Sequence, residues 1–335
     1  MNEEQQKFVF VINHDSDVPK YQQLVNGINN AIAKNILKKG DLLPSVNSIC
    51  KENQLSRDTV FKAYTILKDQ KIIDSVPNKG YYVSGETRKV LLVLDTFKAY
   101  KEVLYHSFVN NLPDNIITDV QFHHYNIEVF KTIINNSVGK YYKYVIMNFD
   151  DQEVSSTLSA ISNDKLLLID WNIQSKKENN YVFQDFGKAF YSSLKEAADL
   201  FKRYKSICFV YPNYTNHPKE TLENFKKFCN DFNFKNEIIT DPKKFDIEKG
   251  IAYISISDRI LGHFLEQCKQ KDFEPGQDVG FLSYNETPMK KFIYKGISVV
   301  STDFNEIGTK AAAFITHDEV MQCYVPTSLI LRESL

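Results

Sequence analysis

From residue 90 to the C-terminus the chain repeats one pattern, and no other feature restricts its fold as much. Short strand-like runs alternate with longer stretches of helical periodicity. The runs are Val90–Leu94, Ile117–Phe122, Tyr144–Met147, Leu166–Ile169, Ile207–Val210, Ala252–Ser255, Val279–Leu282 and Ile297–Val300. The helical stretches cover about 100–111, 126–138, 187–203, 218–231, 259–270 and 304–316, and an extended tail follows. Strands buried on both faces read as near-continuous apolar runs, and the helices between them supply the cover. The expected fold class is α/β, with parallel sheets flanked by helices. About 250 residues of this pattern predict two lobes.

The whole chain has 335 residues, more than one average domain. Hydrophobic residues at 43% and charged residues at 25% allow a real core. The formal net charge of −1 gives no global basic character. Residues 30–84, however, hold nine Lys/Arg against five Asp/Glu, which points to a polyanion partner at that end. The five cysteines are scattered singly, without Cys-x-x-Cys spacing, so zinc and redox motifs are absent. An odd count of unpaired cysteines suits a reducing cytoplasm. The start, MNEEQQKFVFVIN, is acidic and its apolar run is too short for a signal peptide. No stretch approaches the roughly 20 apolar residues of a membrane span. A cytoplasmic protein without a membrane partner is expected.

Residues 1–84 read differently from the rest. Phe8–Ile12 is a strand candidate. From Val18 to about Leu37, Leu24, Ile28, Ala31 and Ile32 recur at helical spacing. Pro44-Ser45 starts a second helix, and Ser56 starts a third that runs to about Gln70. Lys71–Ser75 and Gly80–Val83 read as strands around the turn VPNKG. This order describes a winged helix-turn-helix. Val60, Ala63, Tyr64 and Leu67 mark the buried stripe of the third helix, leaving Arg57, Asp58, Thr59, Lys62 and Thr65 on or beside its outer face. A recognition helix inserts its N-terminal residues into the major groove. Arg57 can bridge guanine O6 and N7, and Thr59 can meet a base edge or a phosphate. Lys62 reads as a phosphate contact. Asp58 suits the helix dipole and can also accept from cytosine N4. Ser56 and the wing residue Lys79 complete the candidates drawn from the residues themselves.

The stretch from PKYQQ to KGYYV, about 65 residues, resembles the DNA-binding domain of the gluconate-repressor (GntR) family. Pro19-Lys20-Tyr21-x-Gln23, Gly40-Asp41-x-Leu43-Pro44-Ser45, Ser56-Arg57-x-Thr59-Val60 and Gly80 carry the resemblance. It implies DNA contacts by Ser45, Arg57, Thr59 and Gly80. The family's usual Arg two residues after the LPS serine is Asn47 here, so a guanine or phosphate contact is either missing or remade as an amide–adenine contact.

Residues 85–89 read as a linker and 90–335 as the two-lobed part. Asp95, Asn148, Asp170, Asp258 and Asn285 gather at carboxyl ends of strands, the edge where open α/β sheets bind ligands. Phe97, Tyr100, Trp171, Phe186 and Tyr284 lie near them in sequence. Carboxylates and amides bond hydroxyls, and rings stack on the apolar face of a sugar. The plainer reading is that each Asp or Asn caps the next helix. The last third, from ISISDRILG to KAAAFI, together with the ending VPTSLILRESL, resembles the effector domain of the lactose-repressor family. That resemblance implies ligand contacts by Asp258 and, more loosely, Asn285. VFQDFGKAFYSSL fits as well and brings in Asp185. Where the family places a ligand-binding Arg early in the 218–231 helix, this chain offers Thr221.

His123-His124 cannot chelate as neighbours on a strand, whose side chains alternate between faces. No Walker A or G-x-S-x-G sequence is found. No metal, no cofactor and no catalytic activity are therefore expected. The expected protein is a homodimeric transcriptional regulator of carbohydrate use. It would bind a double-stranded operator and a monosaccharide, with a deoxyhexose such as L-fucose as one guess. The alternatives are a DNA-tethered enzyme acting on a sugar or nucleotide, and an architectural DNA-binding protein with a non-binding effector lobe.

Overall fold

The structure, a computed structural model, describes residues 12–335 except 14, 15, 17, 34, 35, 78, 85–87, 114, 172–178 and 318. Most of the strand candidate Phe8–Ile12 and most of the linker 85–89 lie outside the described residues.

The N-terminal part holds α1 (Lys20–Ala33), α2 (Val46–Asn53), α3 (Arg57–Asp69), β1 (Ile73–Val76) and β2 (Gly80–Val83). Ser45 caps α2 by accepting from Ser48 N, and Ser56 caps α3 by accepting from Thr59 N. Each serine oxygen satisfies a backbone donor that the helix cannot. β1 and β2 pair antiparallel, and Leu42 bridges to Tyr82 to widen this wing. The Tyr64 hydroxyl donates to Pro44 O at 2.7 Å, tying α3 to the segment that starts α2.

Lobe 1 begins with β3 (Arg88–Leu94), α4 (Ala99–Asn110), β4 (Ile116–Phe122), α5 (Ile127–Ser137), β5 (Lys143–Met147), α6 (Val154–Leu158), β6 (Leu166–Asp170) and β7 (Asn180–Gln184). Lobe 2 follows with α7 (Lys188–Glu196), α8 (Ala198–Phe201), β8 (Ser206–Val210), α9 (Lys219–Asp231), β9 (Asn236–Ile239), β10 (Ile251–Ser255), α10 (Asp258–Lys271), β11 (Gly280–Tyr284) and β12 (Ser298–Thr302). The chain then returns to lobe 1 for α11 (Phe304–Thr316) and β13 (Gln322–Val325), and ends in lobe 2 with β14 (Thr327–Ile330). The sheet orders are β4-β3-β5-β6-β7-β13 and β9-β8-β10-β11-β12-β14. The first is parallel throughout; in the second, β14 runs antiparallel to β12. α11 can lie close on α4 because Gly308 carries no Cβ; one there would meet Leu104 O at 2.5 Å.

Several sequence expectations change in detail. The extended tail supplies one strand to each lobe, so the second sheet is mixed and not purely parallel. The helix expected over 187–203 is two, α7 and α8, meeting at Ala197. β7, β9 and α6 were not anticipated. The polar ends of β7 and the short lengths of β9 and α6 hide them.

The chain crosses between lobes three times, after β7, after β12 and after β13. One hydroxyl pair joins all three crossings. Thr302 Oγ1 donates to Gln184 Oε1 at 2.9 Å and lies 2.9 Å from Thr327 Oγ1, which reaches Asp185 O at 3.1 Å. The head packs on lobe 1 through Arg88, whose guanidinium donates to Gln70 O at 2.7 Å and covers the Tyr142 ring.

Candidate functional site

Both sheets change direction of growth beside their first strand, β3 in lobe 1 and β8 in lobe 2. Loops diverge at such a point and leave a crevice at the carboxyl edge. The crevices of the two lobes face one another and form a cleft of about 570 Å³. Asp95 follows β3 and Asn148 follows β5, on either side of the first switch point. Asp258 follows β10, beside the second.

Seven of the ten sequence-predicted ligand residues line this cleft: Asp95, Tyr100, Asn148, Asp170, Trp171, Asp258 and Asn285. Three do not. Phe97 is turned away and packs edge-on against Tyr105 and Phe122. Asp185 accepts from Gly187 N at the first crossing. Thr221 is fully buried behind His217, with its hydroxyl 2.9 Å from His217 Nε2. Helix capping does not explain the five strand-end residues. The N-caps of α4, α6 and α10 are Lys98, Glu153 and Ser257. Backbone shape explains part of two: Asp170 and Asn285 have φ of 80° and 61°, a region where Asp and Asn are enriched.

The polar groups of the cleft divide into held and open ones. Asp95 is held at the cleft floor, being bonded by the buried Lys101 and by the Tyr125 hydroxyl. Asp170 receives the Gln184 amide, which links it to the hydroxyl pair at the lobe crossings. Burial raises the Asp170 carboxyl above its ordinary pKa against the opposing charge of Lys101. Asp258 pairs at 2.7 Å with the buried Lys290, which also donates to Tyr284 O and Asn285 O. In contrast, Asn148 Oδ1 and Asn285 Oδ1 are buried with no hydrogen-bond partner. A buried acceptor left unpaired costs about 1–3 kcal/mol, so a donor that reached either oxygen would relieve that cost.

The lobe 2 wall combines two rings already singled out in the sequence, Phe186 and Tyr284, with His217 and its loop, which were overlooked. Phe186 and Tyr284 lie parallel at 6.4 Å, and His217 stands edge-on to both. Burial pushes His217 down to about 3, with Lys98 adding to the effect, so its ring is neutral near pH 7. Tyr214, Thr215 and Asn216 lie on the same loop, between Pro212 and Pro218. The rule that selected the other strand ends applies to this loop too, since it follows β8. Lys98, Tyr125, Gln184 and Arg259 also face the cleft.

At the other end of the chain, eight of the nine candidate DNA-binding residues are exposed: Ser45, Asn47, Ser56, Arg57, Asp58, Lys62, Lys79 and Gly80. Thr59 is half-buried, with its hydroxyl 2.8 Å from Ser56 Oγ in the cap. Lys62 Nζ rests 3.8 Å from the Tyr21 ring centroid, drawn toward α1. Gly80 has φ 101° at the wing, a conformation that suits glycine.

His123 and His124 do not form a pair. His123 is buried, stacked on Phe149, with Nε2 bonded to Met147 O, while His124 is exposed. Among the described residues no three His, Cys, Asp or Glu side chains are grouped to hold a metal, and no helix is long and apolar enough to cross a membrane.

A winged DNA-binding head followed by a two-lobed α/β body defines a class, the one-chain transcription regulators. Residues 20–83 match the profile described as "Bacterial regulatory proteins, gntR family". The HTH-type transcriptional repressor YtrA of Bacillus subtilis is 35% identical over 89 residues, which cover 27% of this chain and 68% of YtrA. The chain belongs to the gntR family of bacterial regulators. Its body shares its fold with solved structures of another family. A LacI family transcriptional regulator from Lactobacillus casei, with bound sucrose, superposes with a TM-score of 0.61 at 10% identity, over 74% of this chain and 99% of that one. The lac repressor dimer bound to operator and an anti-inducer does so with 0.61 at 13% identity, over 78% and 99%.

Proposed function

We propose that this regulator senses a neutral monosaccharide in the cleft between its lobes, and that the sugar alters operator binding by a homodimer. In this reading residues 1–84 are the DNA-binding domain; the linker read over 85–89 shortens to 85–87, because Arg88 and Lys89 already pair within β3, and the effector domain runs from 88 to 335, all in the cytoplasm. Asp95, Tyr100, Asn148, Asp170, Trp171, Asp258 and Asn285 serve the ligand. Asp95 acts by holding Lys101 and Tyr125 in place. Ser45, Asn47, Ser56, Arg57, Asp58, Thr59, Lys62, Lys79 and Gly80 serve the DNA, and a dimer supplies a second head for the second half-site.

The observation that carries the reading is the pair of unpartnered buried acceptors, Asn148 Oδ1 and Asn285 Oδ1, in a cleft with aromatic walls. Sugar hydroxyls donate to such oxygens, and rings cover sugar faces. The sucrose bound by the L. casei regulator is a precedent within the same fold. L-fucose belongs in the screen, because apolar residues such as Phe186, Pro212 and Ile256 are among those lining the cleft and would suit a methyl group.

A thermal-shift screen over monosaccharides and sugar phosphates tests this. A ligand at 100 times its Kd stabilises by about 2.7 kcal/mol, or roughly 5–10 °C for a body of this size. The Asn148→Leu variant adds a sharper expectation. It removes an unpaired acceptor at similar volume, so the free protein should keep or raise its Tm. Ligand affinity should fall by about tenfold or more. A screen with no shift for any sugar or sugar phosphate overturns the reading. So does recovery of the ligand in chemically altered form by mass spectrometry, which would make the protein an enzyme.

A further inference from the structure

One residue of α3 fits neither the core nor the expected polar surface. Phe61 is 41% exposed, while Val60, Ala63, Tyr64 and Leu67 alone form the buried stripe. Isolated exposed apolar residues are ordinary on protein surfaces. This one stands on α3, the helix assigned above to the major groove, one turn after Arg57. Residues four apart on a helix are neighbours, and the Arg57 guanidinium carbon lies 5.8 Å from the Phe61 ring centroid.

We propose that Phe61 is a specificity-determining residue that reads a thymine through its C5-methyl group, in a base pair next to the guanine read by Arg57. A phenyl ring has no hydrogen-bond donor or acceptor to offer a base edge. The apolar feature of the major groove is the thymine methyl, and Phe is among the side chains suited to it. The ring also keeps the Arg57 side chain on the same flank of the helix, so the two readers approach adjacent steps. This inference rests on the DNA-binding head and not on the identity of the effector.

The experiment uses the full chain. An operator is selected from random duplexes, and each thymine is then replaced by uracil, which removes only the methyl. Wild-type protein should lose about four- to tenfold affinity at one thymine per half-site, the effect of one buried methyl and its neighbours. Phe61→Ala should bind thymine and uracil equally at that position while still preferring the Arg57 guanine. Phe61→Leu, which keeps apolar surface, should retain the discrimination and controls for folding. Indifference of wild type to uracil at every position overturns the proposal. Discrimination that survives in Phe61→Ala also overturns it.

Discussion

Lys101→Met should lower the stability of lobe 1 by about 3–5 kcal/mol. Lys101 and Asp95 form an ion pair with side chains only 1% and 3% exposed. Their attraction offsets a desolvation penalty that neither could sustain alone. Burial already pushes Lys101 down to about 8, with the charge of Asp170 acting the other way. Removing Lys101 leaves the Asp95 carboxylate buried, with only the Tyr125 hydroxyl, the Thr96 hydroxyl and the Thr96 amide around it. Asp95→Leu should cost a similar amount by stranding the ammonium. The double change, Asp95→Leu with Lys101→Met, should cost much less than the two single losses together, because apolar groups of similar volume replace a buried pair without leaving a charge. Urea unfolding of the three variants measures this. Additive losses would show that the two residues act separately.

This ion pair also marks where the sequence stops being informative. Asp95 was legible, because a carboxylate after a wholly apolar strand lies at the edge where α/β sheets bind ligands. Lys101 was not, since one lysine in the first turn of a helix reads as solvent-facing until its partner is placed. The main strands were legible for a simple reason: strands such as β3 and β5 are covered on both faces and can carry little that is polar. β7 was missed because its ends do tertiary work. Asn180 bonds Asn163 O and Met321 N, and Gln184 joins the lobe crossings. Phe97 was misplaced because nearness in sequence to a cleft residue does not fix direction, and its ring turns to Tyr105 and Phe122. Thr221 points to a real neighbour, His217, without reaching the cleft itself.

The crossings also bear on how a ligand signal could travel. Gln184 bonds Asp170 in the cleft and accepts from Thr302, whose hydroxyl meets that of Thr327. A ligand engaging Asp170 therefore acts one bond away from Gln184 at the first crossing, and through it on Thr302 and then Thr327 at the other two. Coupling between cleft and head needs the ligand to prefer one arrangement of the lobes, and the effect is reciprocal: DNA must change ligand affinity by the same factor.

Arg57→Ala should weaken specific operator binding by about 5- to 150-fold, equivalent to the 1–3 kcal/mol carried by a bidentate arginine–guanine contact. Ser56 and Thr59 make the α3 cap through their own atoms, so the helix start survives the change. Arg57 is exposed and contributes nothing to the buried stripe of α3. The loss should therefore appear in sequence preference, with stability and effector-induced thermal shift unaltered. Arg57→Lys should recover little, because an ammonium cannot match guanine O6 and N7 together. Lys62→Ala makes the contrasting case. Removing a phosphate-binding ammonium there would weaken binding to all sequences alike and reduce the salt slope by about one. Titrations of both variants against operator and scrambled duplex at several salt concentrations separate the roles. A uniform loss for Arg57→Ala on both duplexes would reassign Arg57 to the phosphate backbone and remove the guanine from the proposed half-site.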